Sequence, residues 1–334
     1  MAEGLATAGR YKLVRKLAQG GMAEVFLAVQ RGAAGFERPA VVKRMLPELA
    51  KHAEYRELFV QEAKLMAALS HPNVVAVLDF GEEGGTYFLA LELVDGVDLG
   101  RAIKAVGRLS APLVSCVGSG VLRALHHVHT RADERGEPLN IVHRDATPHN
   151  VLLGRGGEVK LGDFGIAKLP RGPSRTAPGK TRGKLRYMSP EQAAGRPLDA
   201  RADLFSVGVL LHECVVGRSP FGATSDAQLL KLVKDATVGP MEEVEAAAGA
   251  RFAKVIGRAL ARRPQDRFST ADEMERALVG AVPPAGPREV AALVVAALGG
   301  ARGMEEGGNT TTTEKVAVSP LSAALLGTDD ESAT

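Results

Sequence analysis

Chemically active side chains interrupt apolar stretches at two places in this sequence. Lys43 lies inside an apolar run, PAVVKRM, where an unpaired ammonium group would be costly to bury. The helical pattern that follows has Glu62 as the acidic residue on its apolar face, so Glu62 is the expected partner of Lys43. The alternative is an edge strand from which the lysine reaches solvent. Further along, Asp145 and Asn150 lie five positions apart between apolar runs, in IVHRDATPHNVLL.

Lys43 and Glu62 fall in a segment whose pattern predicts a small sheet with one helix. Three runs within residues 10–46, YKLVRKLA, EVFLAVQ and PAVVKRM, are short and β-prone, and glycine-containing turns separate them. Residues 54–69 change to a helical period, with Glu62 on the apolar face. Residues 73–94 then predict two strands joined by a turn that contains Gly84 and Gly85.

From about residue 98 the pattern predicts a mostly helical lobe. One helix is expected to start at Ser110 and Pro112, and the last clear helix to start at a capping box formed by Thr270 and Glu273. We therefore divide the chain into a small lobe at 11–94, a larger lobe at 95–281 and a tail at 282–334. One short Ala/Val/Leu helix is expected early in the tail, which is otherwise expected to be largely disordered. A cleft between two lobes is a common small-molecule site.

The composition excludes several classes of protein. The 334 residues are 45% apolar, which is enough for a packed core. A net charge of +3 argues against a nucleic-acid-binding protein held by a basic face, and two cysteines suggest neither a disulfide scaffold nor a zinc site. The N-terminus has no signal pattern, and the apolar run at 290–301 is shorter than the roughly 20 residues of a membrane span. We expect a soluble, cytoplasmic protein without a membrane span.

Several motifs, in order along the chain, resemble those of protein kinases. They are the glycine-rich loop in LAQGGMAEV (17–25), the catalytic loop in HRDATPHN (143–150), the magnesium-binding Asp-Phe-Gly in LGDFG (161–165), the Ala-Pro-Glu in MSPE (188–191) and a buried helix in DLFSVGVLLHE (203–213). The ordered set covers about residues 11–281, and QGGM, HPNVV and YMSPEQA look most like bacterial eukaryotic-like (Hanks-type) Ser/Thr protein kinases. The resemblance implies an α+β, bilobal protein-kinase-like fold.

The resemblance also assigns roles to the polar residues. Lys43 would hold the α- and β-phosphates of ATP while paired with Glu62, and Asp145 would accept the proton of the substrate hydroxyl or orient that hydroxyl. Asn150 and Asp163 would bind Mg²⁺ through hard oxygen ligands. His143 is interpreted as a packing residue in a line with Met66, Leu78 and Phe164, rather than as an acid or base. The remaining structural roles are a pair between Glu191 and Arg267 and a tether from Asp203 to the catalytic loop.

The nucleotide-binding residues are carried over by position. Gly20 and Gly21 would let backbone amides approach phosphate oxygens, although Ala18 and Ala23 replace two glycines of the family pattern, and an ordinary hairpin turn is the alternative. The set is Leu17, Gly20, Gly21, Val25, Val41, Lys43, Leu91, Glu92, Val94 and Leu152. Val25, Val41 and Leu152 would sandwich the adenine, Leu91 would lie behind it, and Glu92 and Val94 would offer backbone hydrogen bonds.

Two departures from the family pattern fall on positions that touch in the family fold. The family's Ser/Thr kinases have lysine at the position of Thr147, and usually threonine at the position of Lys184 in GKLRYMSPE. We hypothesise an exchange, in which Lys184 brings its ammonium group to the γ-phosphate and Thr147 takes the vacated hydroxyl role. The alternative is a simple loss at Thr147, with Lys184 a solvated loop residue.

The segment 163–191 carries the candidate regulatory residues. A phosphate on Ser174, Thr176 or Thr181, with Thr181 the first choice, could order this segment by pairing with arginines that include Arg144. A plain flexible loop is the alternative.

The expected function is transfer of the γ-phosphoryl group of ATP to Ser/Thr hydroxyls of proteins, with autophosphorylation, by a protein serine/threonine kinase. The expected cofactor is Mg²⁺, with Mn²⁺ as an alternative. Expected partners are protein substrates and a regulatory partner that acts through the tail, and neither nucleic acid nor a membrane is expected. One alternative is a pseudokinase scaffold, suggested by Ala18, Ala23 and Thr147. The other is a small-molecule phosphotransferase of the aminoglycoside-kinase type, which lacks the Pro-Glu segment.

Overall fold

The structure is a computed structural model that describes residues 7–163 and 180–302. Its N-terminal part is a six-stranded antiparallel sheet with the strand order β1-β2-β3-β4-β6-β5. The strands are β1 (Thr7–Ala8), β2 (Tyr11–Gln19), β3 (Ala23–Arg31), β4 (Glu37–Met45), β5 (Val77–Glu83) and β6 (Thr86–Glu92). Short turns join β2 to β3 and β5 to β6, as the glycines between those runs predict.

Two helices follow β4, α1 (Pro47–Ala50) and α2 (Ala53–Ala67). Helix α2 buries Phe59, Glu62, Ala63 and Met66, which recur at the helical period and form one face. The single acidic residue among them is Glu62, so the apolar face of α2 delivers a carboxylate to the sheet.

A second, three-stranded sheet begins the larger lobe. Its strands, in the order β7-β8-β9, are β7 (Gly96–Asp98), β8 (Val151–Gly154) and β9 (Val159–Leu161). The helices of this lobe are α3 (Leu99–Val106), α4 (Ala111–His129), α5 (Lys180–Leu185), α6 (Pro190–Ala193), α7 (Arg201–Val216), α8 (Asp226–Asp235), α9 (Glu242–Ala248), α10 (Ala250–Ala259), α11 (Ala271–Ala281) and α12 (Pro287–Arg302). The catalytic-loop sequence lies between α4 and β8.

Local sequence signals explain several of these boundaries. Helix α11 starts where predicted, because the Thr270 hydroxyl accepts a hydrogen bond from the Glu273 backbone N–H at 3.1 Å. Helix α4 begins after Ser110 with a proline in its first turn. The prediction of a bilobal α+β fold is confirmed by this arrangement of a sheet-rich lobe and a helical lobe.

The apolar residues form two clusters on opposite faces of the six-stranded sheet. The larger cluster contains Met66 and Leu89 and continues through α4 and α7, whereas the smaller one contains Tyr11, Val42 and Phe88. Leu78 packs against the smaller cluster, so our interpretation that it lies in line with Met66 is wrong. A break in the β5–β6 register between Val77 and Asp79 shifts the alternation of β5, and it is Val77 that packs against the larger cluster.

Helix α12 lies beyond the predicted lobe boundary at residue 281. Its residues Val290, Leu293, Val294 and Ala297 are buried, and the helix contacts α3, β7 and β8. The expected Ala/Val/Leu helix of the tail is therefore present, and it packs against the larger lobe. The division of the chain at residues 94 and 281 stays a prediction.

Within the described ranges, no helix is both long enough and apolar enough to cross a membrane. The cytoplasmic location stays a prediction.

Candidate active site

Lys43 is the centre of a charge cluster that joins the two lobes. It lies on β4 opposite Val25 of β3 and Leu89 of β6, in the middle of the six-stranded sheet. Its Nζ donates to Glu62 Oε1 at 2.7 Å and to Asp163 Oδ1 at 3.1 Å. Because Glu62 comes from α2 and Asp163 follows β9 of the larger lobe, the ammonium bridges the lobes. The predicted partner of Lys43 is confirmed, and the edge-strand alternative is excluded because β4 is paired on both sides.

Within this bridge between the lobes, the charges of Lys43 and Asp163 stabilise one another. Burial alone would lower the pKa of Lys43, but the carboxylates of Asp163 and Glu62 raise it above its ordinary value. Conversely, the Lys43 ammonium lowers the pKa of Asp163 below its ordinary value. Both groups are therefore charged at neutral pH.

The catalytic-loop backbone is held by a buried carboxylate from α7. Asp203 is fully buried, and its two oxygens accept hydrogen bonds from the backbone N–H groups of His143 and Arg144, each at 2.8 Å. His129 Nε2 lies 2.8 Å from the same carboxylate. Burial raises the pKa of Asp203, but the His129 hydrogen bond and the other donors outweigh burial and lower it. The predicted tether is present, and His129 is an additional partner that sequence reasoning missed.

His143 has the geometry of a positioning residue. Its ring is fully buried, with Nδ1 accepting from the Asp145 backbone N–H at 3.2 Å and Nε2 3.3 Å from the Gly162 carbonyl oxygen. These contacts fit a neutral imidazole with its proton on Nε2. His143 thus links the backbone of Asp145 to that of the residue preceding Asp163. Arg144 and Asp163 both have positive φ angles, 64° and 54°, which indicate local strain at the two ends of this link.

Asp145 is nearly buried and lies at the centre of the loop's hydrogen bonds. Its carbonyl oxygen accepts from the Thr147 N–H and from Asn150 Nδ2, both at 2.8 Å. The Thr147 carbonyl in turn accepts from the Asn150 N–H at 2.9 Å. Because the Asn150 amide nitrogen is engaged, its Oδ1 is the atom presented as an acceptor.

Lys184 contacts Asp145. Its Nζ donates to Asp145 Oδ2 at 2.8 Å, although the two residues are 39 positions apart and Lys184 is in α5. The Lys184 side chain is 52% exposed, whereas that of Asp145 is 8% exposed. Lys184 therefore contacts the carboxylate of Asp145, whereas Thr147 contacts the backbone carbonyl of the same residue through its N–H.

The turn between β2 and β3 contains the two glycines of the candidate phosphate-binding loop. The Gly20 N–H donates to the Ala23 carbonyl at 2.8 Å, which closes the turn. A Cβ on Gly21 would meet no atom within 4 Å, and neither glycine has a positive φ. The turn itself therefore does not require glycine, and the space beside the Gly21 Cα is open. On the outer face, Glu24 accepts from Lys16 at 2.7 Å and from Arg44 at 3.1 Å, which ties both strands of the turn to β4.

Several predicted adenine-contacting residues belong to one apolar surface. Leu91 and Val94 are members of the larger cluster, and Val41 and Leu152 pack against it from the two lobes. The register pairs Val41 with Leu91, so these side chains are neighbours. Leu17 is buried on β2 and Val25 is half-buried on β3, beside Lys43.

Glu92, at the end of β6, has a side-chain role that sequence reasoning missed. Its Oε1 accepts from Lys160 Nζ at 2.7 Å and from the Ala76 N–H at 2.8 Å. Lys160 lies on β9 of the larger lobe, so this ion pair spans the segment that connects the lobes. The sequence signal for this contact is the lysine between two apolar residues of a short strand, in EVKL. This signal indicates that Lys160 faces away from the apolar neighbours, but it does not identify the partner of Lys160.

The predicted pair between Glu191 and Arg267 is present in the larger lobe. Arg267 Nη1 and Nη2 donate to Glu191 Oε1 and Oε2 at 2.7 and 2.8 Å, and the arginine side chain is fully buried. Burial raises the pKa of Glu191, but the hydrogen bonds and charge of Arg267 outweigh it and lower that pKa below its ordinary value.

Some predicted residues lie outside the described part of the chain. Phe164, Ser174 and Thr176 fall in the 164–179 gap, and only the backbone of Thr181, in α5, is described. The regulatory roles of these residues and of Arg144 stay predictions.

Comparison with known proteins agrees with this geometry. A family model described as a protein kinase domain matches residues 11–279. The chain is 40% identical over 274 residues to the tyrosine-protein kinase MasK of Myxococcus xanthus, covering 81% of this chain and 42% of that protein. It is 31% identical over 275 residues to the serine/threonine-protein kinase PrkC of Bacillus subtilis, covering 82% of this chain and 41% of that protein. The chain thus spans about two-fifths of the length of these relatives.

The fold is also similar to a solved structure. The crystal structure of the Mycobacterium tuberculosis PknI kinase domain superimposes with a TM-score of 0.59 at 28% identity, covering 84% of this chain and all of that one.

Proposed function

This chain belongs to the protein kinase domain family, with bacterial Ser/Thr kinases among its relatives, and from this premise we propose that it transfers the γ-phosphoryl group of ATP to Ser or Thr hydroxyls of proteins. The observation that carries the proposal is the bridge between the lobes, in which Lys43 contacts Glu62 at 2.7 Å and Asp163 at 3.1 Å. A largely buried ammonium that two carboxylates hold between the lobes suits the phosphates of a nucleotide. A pseudokinase that binds no nucleotide would not need this assembled arrangement.

Asn150 and Asp163 fit the role of Mg²⁺ ligands. Asp163 supplies carboxylate oxygens from a side chain that is 59% exposed, and Asn150 presents its amide oxygen Oδ1. Both are hard oxygen ligands. In the part of the chain that the structure describes, no group of three or more His, Cys, Asp or Glu residues could hold a metal. These residues therefore do not suit a metal site made of protein ligands alone. They suit Mg²⁺ that is bound by one or two protein oxygens and by the phosphates of the substrate. The bound ion would offset phosphate charge.

In the proposed reaction, Asp145 receives a proton. The substrate hydroxyl oxygen forms a bond to the γ-phosphorus while the bond from that phosphorus to the β,γ-bridging oxygen breaks. The electron pair of the broken bond leaves with ADP, and the hydroxyl proton passes to the Asp145 carboxylate. His143 and Asp203 hold the backbone that carries this carboxylate.

Incubation of the purified chain with γ-labelled ATP, Mg²⁺ and a generic basic protein tests the proposal, with Asp145→Asn as the control. Label on Ser and Thr after acid hydrolysis, absent with the variant, is the expected result. Label confined to tyrosine would instead match the relative that is named a tyrosine-protein kinase. Binding of Mg-ATP without any transfer would support the pseudokinase alternative and overturn the proposal.

A further inference from the structure

The catalytic loop has no lysine where the family's Ser/Thr kinases have one. Thr147 fills this position, is 5% exposed, and is fixed in the loop through its N–H to the Asp145 carbonyl and its carbonyl to the Asn150 N–H. Its uncharged hydroxyl cannot neutralise a phosphoryl group. The loop also has two histidines: His143 contacts the Asp145 N–H and the Gly162 carbonyl, and His149 Nδ1 lies 3.1 Å from Asp98 Oδ1.

Lys184 brings an ammonium group to this loop from a different element. It reaches Asp145 Oδ2 at 2.8 Å from α5, and its stem is half exposed. A lysine side chain has a flexible chain of four carbons, and that of Lys184 is half exposed, so its ammonium group can move between neighbouring acceptors. The ammonium can therefore contact the carboxylate before substrates bind and a phosphoryl oxygen during transfer.

The positive charge of Lys184 also acts on the carboxylate of Asp163. Lys43 is the main cause of the lowered pKa of Asp163, Asp145 opposes that effect, and Lys184 adds to it. Lys184 thus acts on both Asp145 and Asp163. The space between these two carboxylates is where the proposed reaction would place the γ-phosphoryl group.

We propose that Lys184 is a catalytic residue of this kinase domain, and that from α5 it supplies the positive charge that Thr147 leaves absent from the catalytic loop. The inference rests on the proposed function and deepens it. As the bond from the γ-phosphorus to the β,γ-bridging oxygen breaks, the Lys184 ammonium donates hydrogen bonds to the oxygens of the transferring group and keeps its own protons. The proton of the attacking hydroxyl still passes to Asp145. The interaction is strongest in the transition state, so it acts on kcat.

The contact between Lys184 and Asp145 has one competing interpretation, a brake that occupies the catalytic carboxylate. The two interpretations predict opposite effects of removing the ammonium. A brake predicts faster transfer, because Asp145 is released. A catalytic cation predicts slower transfer, because the loop has no replacement.

The test compares Lys184→Ala with the wild type and with Lys254→Ala, a loss of an exposed lysine on α10. We expect Lys184→Ala to lower kcat by about 10²- to 10³-fold, as for removal of one transition-state donor. The KM for ATP and the calorimetric affinity for Mg-ADP should stay near wild-type values. Affinity for ADP with aluminium fluoride, which mimics the transferring group, should fall with kcat. Lys254→Ala should match the wild type.

A charge exchange gives the second arm of the test. In the double variant Thr147→Lys with Lys184→Thr, the ammonium returns to the loop, and kcat should recover at least tenfold over Lys184→Ala. Binding of Mg-ADP by the double variant shows that it is folded. A folded double variant as slow as Lys184→Ala would overturn the exchange of roles.

Two outcomes separate the inference from the function on which it rests. An active wild type whose Lys184→Ala variant keeps or exceeds the wild-type kcat would overturn the catalytic role of Lys184 and leave the kinase function standing. A wild type that binds Mg-ATP but transfers no phosphate, like Asp145→Asn, would overturn the proposed function and with it the inference.

Discussion

At the level of single side chains, the position of Lys43 depends on two carboxylates that come from different parts of the chain. Glu62 lies on α2 and is nearly buried, whereas Asp163 follows β9 and is open to solvent. With both present, the ammonium is held between the lobes. With Asp163 alone, it would be drawn toward the larger lobe and away from the sheet.

Glu62→Gln tests this dependence. The neutral amide cannot balance the attraction of Asp163, so we expect Lys43 to shift and kcat/KM for ATP to fall by about 10²-fold, the typical cost of a misplaced catalytic group. The measurement is steady-state phosphorylation at several ATP concentrations. Glu57→Gln, which removes an exposed carboxylate from the same helix, is the matched control and should change little. Equal losses in the two variants would contradict the role of Glu62.

At the level of elements, buried carboxylates from the helices hold the loops that carry the chemistry. Asp203 at the start of α7 binds two backbone N–H groups of the catalytic loop, and Glu191 in α6 binds Arg267. Arg267 also donates to the carbonyls of Ala261, Arg201 and Arg262 at 2.8–3.1 Å. The arginine thus fixes α6, which follows α5, against the core of the larger lobe.

Removal of the Glu191 charge should destabilise the protein in a pH-dependent way. Breaking a buried ion pair costs about 3–5 kcal/mol, so Glu191→Gln should lower the free energy of unfolding by that amount at pH 7. The pKa of Glu191 is lowered from 4.5 in the folded state, so its contribution is present above about pH 4.5 and is lost as the pH falls through the folded pKa. Chemical denaturation at pH 7, 5 and 4 measures the free energy of unfolding of the variant and of the wild type. The difference between these two free energies should be smaller at pH 4 than at pH 7.

The control for this prediction is an exposed ion pair in the same lobe. Asp266 pairs with Arg263 at 2.8 Å, and both side chains are largely exposed. Asp266→Asn should therefore cost at most about 1 kcal/mol. A Glu191→Gln variant with a similarly small cost, or with a cost that does not change with pH, would show that Arg267 is satisfied by its carbonyl partners alone.

The elements also show what the sequence could and could not predict. The β-prone runs between glycine-containing turns located β2 to β6, and the helical period of the apolar residues located the helix that carries Glu62, because such a period reflects burial on one face. The resemblance to the family misplaced Leu78, since a break in the β5 register reverses the alternation there. The contact of Glu92 with Lys160 was not predicted, because periodicity identifies faces and not partners from another lobe. The contact of Lys184 with Asp145 was anticipated only through the resemblance to a known family, because Lys184 and Thr147 both depart from the pattern of that family.

At the level of the whole molecule, the connection between the lobes is supported from two sides. Glu92 and Lys160 form an ion pair across it, and β7, which follows the connection, pairs with β8. Helix α12 packs against β7, β8 and α3, and Gly157 lies so close to its start that an added Cβ would be 2.2 Å from the Pro287 carbonyl oxygen. Since β8 carries Leu152, α12 supports the surface that would contact the adenine.

Two neighbouring valines on α12 test whether this helix stabilises the nucleotide site. Val294 is fully buried and Val295 is 60% exposed, so Val294→Asp should detach the helix while Val295→Asp leaves it in place. A buried carboxylate without a partner costs several kcal/mol, and each kcal/mol lowers the Tm of a domain of this size by about 2–4 °C. We expect Val294→Asp to lower the Tm by at least about 5 °C and to raise the KM for ATP, because β8 loses its support. Thermal unfolding with and without Mg-ADP, together with ATP titration of the activity, measures both effects. If Val294→Asp lowered the Tm but left the KM for ATP unchanged, α12 would stabilise the lobe without acting on the nucleotide site.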